Sequence, residues 1–299
     1  MPAWLRRAAD AAVAALVRAL FATLRALGPD RAADLGGWLA RSLGPLLPVQ
    51  RVTLDNIRHA FPELPEAEHR RIAREAWDNL GRTACEYVHM DRIWDFDEAR
   101  PNHGRIELPP DSVARFMALR EDGKPALFFA AHLANWELPA IAAAKHGLAS
   151  AVLYRMPNNA AVGRDIVRLR SGSMGRLIPT NVAAPVRMLE ALDEGLHVGM
   201  LIDQRFSRGP RVGFLGRPTP SNPLLARLAR RFDCPVHGAR AIRLPGGRFR
   251  LELTEAIELE KDATGRVDVE AATAQLNRIV EGWVREHPGQ WLWMHRRWR

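Results

Sequence analysis

The sequence contains the segment Pro125-Ala-Leu-Phe-Phe-Ala-Ala131, followed directly by His132-Leu-Ala-Asn-Trp-Glu137, and this segment is the clearest indication of the fold. A short apolar run bounded by turn-forming residues is typical of a buried strand. A helical pattern follows from about Trp136 to His146. Open α/β sheets place their functional sites at the carboxyl ends of strands, so the polar side chains after Ala131 are the first candidates for a site.

Further strands and helices alternate along the chain. This alternation predicts an α/β fold, a mixed sheet flanked by helices with crossover connections. The predicted strands are residues 151–154 and 197–202 and two strands within 235–258 that are joined at Pro245-Gly246-Gly247; the predicted helices are residues 185–194 and 267–286.

The first 28 residues form an alanine- and leucine-rich helical pattern that ends at Gly28-Pro29. At 100° per residue, Arg7, Arg18 and Arg25 fall within about 20° of one another and form a cationic stripe opposite an apolar face of alanine, leucine, valine and phenylalanine. Interfacial membrane helices have this pattern, and so do helices that pack on their own protein core. Arginines interrupt the apolar run, which argues against a signal peptide or a spanning helix. We expect a membrane-associating helical region over residues 1–48 and one α/β domain over 49–299.

Composition narrows the function classes. The chain has 299 residues, 47 % hydrophobic and 26 % charged, which excludes a disordered chain and a multi-span membrane protein. Cys85 and Cys234 are too few for a disulfide framework or a four-cysteine zinc site, and no H-E-x-x-H pair occurs, so we expect no metal. The phosphate-binding glycine motifs of nucleotide sites are also missing, and no cofactor is expected.

The charge is strongly positive and unevenly distributed. The net charge is +9, and residues 205–250 contain eleven arginines and one acidic residue, Asp233. Such a segment attracts phosphate, nucleic acid, anionic lipid or an acidic protein. The sequence has no helix-turn-helix or RNA-recognition signature, so a nucleic-acid partner is not expected.

His132 and Glu137 are the sharpest candidates for chemistry. Five residues span 500° of a helix, so the two side chains meet only if His132 lies in the turn and Glu137 in the next helix. The carboxylate would then fix the imidazole tautomer, and the second ring nitrogen would accept a proton from a hydroxyl. The alternative is a histidine that caps a turn beside a surface glutamate.

Three more polar clusters follow strands or precede turns. Because such clusters lie at the ends of separate elements, we expect them to converge with His132 on one site. Their candidate residues are Tyr154, Arg155 and Asn158; Arg168 and Arg170; and Asp203 and Gln204.

Seven segments in order resemble the bacterial lipid A lauroyl/myristoyl acyltransferases, within the glycerolipid acyltransferase superfamily. His132–Glu137 (HLANWE) is similar to the family's H-x4-D/E motif in its H-x-x-N-W-E form. Met156 departs from forms of the Y-R-x-x-N-N segment in which proline follows the arginine. The other segments are NIRHAFPE at 56–63, YRMPNN at 154–159, the region of Arg168, Asp203-Gln204, VGFLG at 212–216 and QWLWMHRRW at 290–298.

The resemblance implies transfer of a fatty acyl chain from acyl carrier protein to a hydroxyl of a Kdo-bearing lipid A precursor, at the cytoplasmic face of the inner membrane. It implies that His132 is the general base and that Glu137 orients it. Arg168, or alternatively Arg170, would stabilise the oxyanion or hold a phosphate. Asp203 would be a structural or substrate-positioning residue.

Two questions stay open in the sequence. The alternative acceptor is a lysophospholipid, a glycolipid or an aminolipid, because the motif is shared across the superfamily. The C-terminal tryptophans fit interfacial contacts with a membrane and fit core packing equally well. Arg296 and Arg297 are further candidates for binding a substrate phosphate.

Overall fold

The computed structural model describes residues 3–97, 100, 103–155 and 159–298. The strands are β1 Ile106–Glu107, β2 Leu127–Ala130, β3 Ser150–Tyr154, β4 Arg176–Pro179, β5 His197–Leu201, β6 Arg211–Phe214, β7 Arg217–Pro220, β8 Val236–Leu244 and β9 Arg248–Leu253. The helices are α1 Ala3–Leu27, α2 Pro29–Leu43, α3 Val49–Ala60, α4 Glu66–Glu86, α5 Met90–Ile93, α6 Pro110–Glu121, α7 Leu138–Lys145, α8 Ala160–Ser171, α9 Ala184–Asp193, α10 Leu224–Arg231 and α11 Val269–Glu286.

Seven strands form one mixed, mostly parallel sheet in the order β1-β9-β8-β2-β5-β3-β4, in which β8 and β9 pair antiparallel. Strand β2 lies between β8 and β5 and is parallel to both. The carboxyl ends of β2, β3 and β5 therefore lie at one edge of the sheet, which is where the polar clusters were expected to meet. Strands β6 and β7 form a separate antiparallel hairpin.

The residues of β2 show why the sheet has helices on both faces. Leu127 and Phe129 are buried in the main core, where the ring of Phe129 stacks on Trp283 of α11 with centroids 5.5 Å apart. Phe128, on the other face, packs toward Phe116 of α6. Because both faces are covered, the strand has an uninterrupted apolar sequence.

The predicted core elements are confirmed, with shifted ends. The helix expected from Trp136 begins at Leu138, because Glu137 occupies its N-cap position. Strand β9 ends at Leu253 rather than near residue 258, because the Thr254 hydroxyl accepts the Gly238 N–H that a backbone carbonyl would otherwise accept. Strand β4 and the β6–β7 hairpin were not predicted from the sequence.

Helix α1 is confirmed and ends at Gly28, whose φ of 78° is easily adopted by glycine. Two arginines of the predicted cationic stripe form ion pairs at the protein surface, Arg18 with Asp165 and Arg25 with Asp91, and their side chains remain 59 % and 41 % exposed. The side chain of Arg7 is not among those that the structure describes. No helix among the described residues is long and apolar enough to cross a bilayer.

Candidate active site

His132 lies in the turn after β2, and its carboxylate partner is Asp203, which follows β5. The imidazole Nδ1 lies 2.8 Å from Asp203 Oδ1, and the backbone N–H of His132 donates to Asp203 Oδ2 over 2.8 Å. Glu137 was expected in this role. The structure brings Asp203 to the imidazole, whereas Glu137 lies at the N-cap of α7 and forms an ion pair with Arg170.

Asp203 is buried, with 2 % of its surface exposed, and it accepts a third hydrogen bond from Trp291 Nε1 over 2.8 Å. Burial favours the neutral carboxyl, but attraction to His132 and these hydrogen bonds outweigh it and lower the pKa of Asp203 to about 2. An ionised Asp203 can only accept, so Nδ1 of His132 carries the proton. Nε2 is then the basic nitrogen.

The basic nitrogen faces Gln204. The Gln204 side-chain amide lies 3.2 Å from Nε2 of His132. On the other side, the Trp136 ring contacts the imidazole with centroids 5.1 Å apart. These neighbours fix the plane of the ring, so Nε2 has one defined direction.

A buried polar network holds the turn that carries His132. Ala134 adopts a φ of 48°, which is unusual for a residue with a side chain. Its carbonyl accepts hydrogen bonds from Asn79 and Thr83 of α4, while the next residue, Asn135, donates to Glu86. Arg243 of β8 forms a bidentate ion pair with Glu86, so the unusual turn is tied to both α4 and the sheet.

Glu137 forms an ion pair with Arg170 of α8, and both side chains are mostly buried. The Arg170 guanidinium lies over the rings of Tyr87 and Tyr154, at 5.5 and 5.8 Å. Burial acts to lower the pKa of Arg170, but the charge of Glu137 leaves it raised overall. Burial also raises the pKa of the Tyr87 hydroxyl. Arg170 is therefore a fixed positive charge in the site.

The sequence left Arg168 and Arg170 as alternatives and favoured Arg168. Arg168 is exposed, whereas Arg170 faces the site. On a helix, residues two apart point to different sides, so only one of the pair faces inward. Arg155 follows β3 at the cavity mouth and is exposed. Asn158 lies outside the described residues.

A cavity of about 1130 Å³ extends from these side chains into the domain. His132, Glu137, Arg170 and Gln204 line one part of it. The rest of the lining is mainly apolar and comes from both sides of the space between the sheet and the helices, including Phe116, Met117, Phe128, Ala140, Leu148, Val152, Met174 and Leu251. The volume slightly exceeds the ~300–1,000 Å³ typical of small-molecule sites. The arrangement therefore suits a ligand with a long apolar part and a reactive polar end.

The C-terminal segment packs against the turn that carries His132. The backbone N–H of Leu292 donates to the His132 carbonyl over 3.1 Å, and Trp291 and Trp293 are buried in the core. Of the two interpretations of these tryptophans that the sequence left open, the structure supports core packing. Arg297 is fully buried and hydrogen-bonds to Thr219, Pro220, Ser221 and Asn277, so it is not available to a substrate phosphate.

The arginine-rich segment is partly neutralised inside the fold. Five of its arginines form ion pairs with acidic residues from other parts of the chain, namely Arg230 with Asp262, Arg240 with Glu252, Arg243 with Glu86, and Arg248 and Arg250 with Glu107. Exposed arginines remain around the β6–β7 hairpin that follows Gln204, at positions 208, 211 and 217. The positive charge of the segment is therefore partly offset within the fold.

Comparison with known proteins identifies the family of the chain. A search of the curated proteins returns no match. The family described as bacterial lipid A biosynthesis acyltransferase matches residues 3–299. An imidazole fixed by a buried carboxylate beside a mainly apolar cavity is an arrangement that an acyltransferase can use. The match covers nearly every residue, and the chain belongs to the bacterial lipid A biosynthesis acyltransferase family.

Proposed function

We propose that the protein transfers a fatty acyl chain from the thioester of acyl carrier protein to a hydroxyl of a Kdo-bearing lipid A precursor. The observation that carries this proposal is the His132–Asp203 pair, joined over 2.8 Å, at one end of a mostly apolar cavity of about 1130 Å³. The apolar part accepts the acyl chain, and the polar end holds the thioester beside the base. No cofactor is required, because the thioester is already activated.

In the reaction, Nε2 of His132 removes the proton of the acceptor hydroxyl as the oxygen attacks the thioester carbonyl carbon. Asp203 stabilises the imidazolium that forms. Collapse of the tetrahedral intermediate breaks the carbon–sulfur bond, and the imidazolium returns its proton to the thiolate. No covalent acyl-enzyme is needed.

Arg170 stabilises the negative charge that develops on the carbonyl oxygen. A fixed cation in a site with few water molecules is more effective than one in bulk solvent. Glu137 positions Arg170 through their ion pair and so acts on the reaction indirectly. Tyr154 stacks against the same guanidinium, and Arg155 at the mouth binds an acidic group of either substrate.

The protein works at the cytoplasmic face of the inner membrane. Several large apolar side chains of the first two helices are exposed, including Leu16 at 71 % and Trp38 at 53 %. Such side chains enter the interfacial layer of a bilayer, which brings the enzyme to its lipid acceptor. The exposed arginines near the β6–β7 hairpin attract anionic headgroups and the acidic carrier protein.

Acyl transfer by detergent-solubilised enzyme tests the proposal. Lauroyl- or myristoyl-acyl carrier protein is the donor, and a Kdo-bearing tetraacyl lipid A precursor, a lysophospholipid and an aminolipid are offered separately as acceptors. We expect product with the lipid A precursor. Product only with another acceptor would contradict this acceptor assignment and leave the base in place.

A further inference from the structure

Gln204 occupies the position that an acceptor hydroxyl must take. Asp203 accepts from Nδ1 of His132, so Nε2 carries a lone pair, and the Gln204 amide 3.2 Å away must donate to it. An imidazole nitrogen has one lone pair in the ring plane. The Gln204 amide and a substrate hydroxyl therefore compete for the same hydrogen bond.

The surroundings of Gln204 allow such an exchange. Asp203 is fixed by three hydrogen bonds, from the side chain and backbone of His132 and from Trp291. The Gln204 side chain is half-buried, lines the cavity, and makes its hydrogen bond within the described part of the chain to His132. Rotation of the Gln204 side chain thus breaks one hydrogen bond and leaves the catalytic pair intact.

We infer that Gln204 is an exchangeable guard of the general base. With no acceptor bound, its amide keeps Nε2 from accepting a hydrogen bond from water. When the acceptor binds, its hydroxyl replaces the amide. This inference rests on the proposed function, because shielding the base is useful only if a thioester binds beside it. An unshielded base would let water hydrolyse that thioester.

The unwanted reaction has the same steps with water as nucleophile. Nε2 takes a proton from water, the oxygen attacks the carbonyl carbon, the carbon–sulfur bond breaks, and the imidazolium gives its proton to the thiolate that leaves. The products are a free fatty acid and the unacylated carrier protein. A hydroxyl on a large, well-bound lipid can displace the Gln204 amide, whereas a single water molecule displaces it less readily. The amide therefore favours transfer over hydrolysis.

The first test needs no substrate. Diethyl pyrocarbonate acylates neutral imidazole nitrogens, and peptide mass spectrometry follows its addition to His132 alone. Gln204→Met keeps the length of the side chain and removes the donor. One hydrogen bond is worth ~0.5–1.5 kcal/mol, so we expect modification of His132 to be about twofold to tenfold faster in Gln204→Met. Gln275→Met, which removes an amide bonded to Glu258 and Glu260, is the matched control and should leave the rate unchanged.

The second test measures hydrolysis of lauroyl-acyl carrier protein without acceptor, and acyl transfer with it. We expect Gln204→Met to raise hydrolysis by a similar factor and to lower the ratio of transfer to hydrolysis. A merely structural role would lower both rates together. Equal His132 modification in wild type and Gln204→Met, or hydrolysis that does not rise, would overturn the inference. If no acceptor is acylated, the proposed function fails, while the modification rates still decide whether Gln204 shields the base.

Discussion

Asp203 contacts His132 twice, through the imidazole Nδ1 and through the backbone N–H, each over 2.8 Å. One carboxylate thus fixes both the ring orientation and the turn that carries it. This relationship links the carboxyl ends of two adjacent parallel strands, β2 and β5.

Asp203→Asn should lower kcat by at least a hundredfold. An asparagine amide cannot accept hydrogen bonds from the His132 backbone, the imidazole and Trp291 at once. If its NH₂ group faces the ring, the tautomer reverses and Nε2 loses its lone pair, and a general base contributes ~10²–10⁴-fold. Steady-state acyl transfer measures the effect, with exposed Asp233→Asn as control. Near-normal kcat in Asp203→Asn would remove Asp203 from the mechanism.

The same substitution should change how stability depends on pH. The pKa of Asp203 lies at about 2 in the fold, below the ordinary value of 3.8. A lowered carboxyl pKa stabilises the fold above the unfolded value, and this contribution disappears as pH falls toward 2. At ~1.4 kcal/mol per pKa unit it amounts to about 2 kcal/mol. Urea unfolding between pH 5 and 2 should therefore give a flatter pH dependence for Asp203→Asn, and identical slopes would be the contrary result.

Arg170 and Arg168 form a matched pair of substitutions on one helix. Arg170→Ala removes the buried cation that Glu137 holds, and loss of one oxyanion-stabilising group costs ~10²–10³-fold in kcat. Arg168→Ala changes an exposed side chain and should alter kcat about twofold at most. A raised KM for the acceptor with normal kcat in Arg170→Ala would instead assign Arg170 to phosphate binding.

Arg297 and neighbouring Arg296 offer a similar comparison for stability. Burial lowers the pKa of Arg297 to about 10, and its guanidinium donates to groups on the β6–β7 hairpin and to Asn277 of α11. Arg297→Met leaves several buried acceptors without a donor, so the free energy of unfolding should fall by about 2 kcal/mol or more. Exposed Arg296→Met should change it by less than ~0.5 kcal/mol. Equal denaturation midpoints for the two variants would contradict this account.

The sequence predicted the centre of the sheet better than its periphery. Strand β2 has four apolar residues in a row, a pattern that needs no tertiary information. The hairpin strand Arg217–Pro220 contains two prolines, which argue against a strand, and it is held by antiparallel pairing with β6 and by the Thr219 hydroxyl, which donates to the Arg297 carbonyl.

The sequence predicted which residues lie in the site better than it predicted which of them contact each other. His132, Asp203 and Gln204 were all candidates, but the spacing of His132 and Glu137 pointed to a contact between those two. The actual contact, His132 to Asp203, joins residues 71 positions apart and depends on β2 and β5 being neighbours. Strand order is a tertiary property, which local spacing does not encode. For the same reason Arg297 was a candidate for binding a substrate phosphate, although its contacts with Thr219 and Asn277 bury it.

The proposed role of His132 is tested most directly by acyl transfer from lauroyl-acyl carrier protein to the Kdo-bearing tetraacyl precursor by wild type and His132→Ala, with unfolding midpoints measured in parallel. We expect product from wild type and at least a hundredfold lower kcat in the folded variant, because His132 is the base. Undiminished transfer by His132→Ala would contradict it.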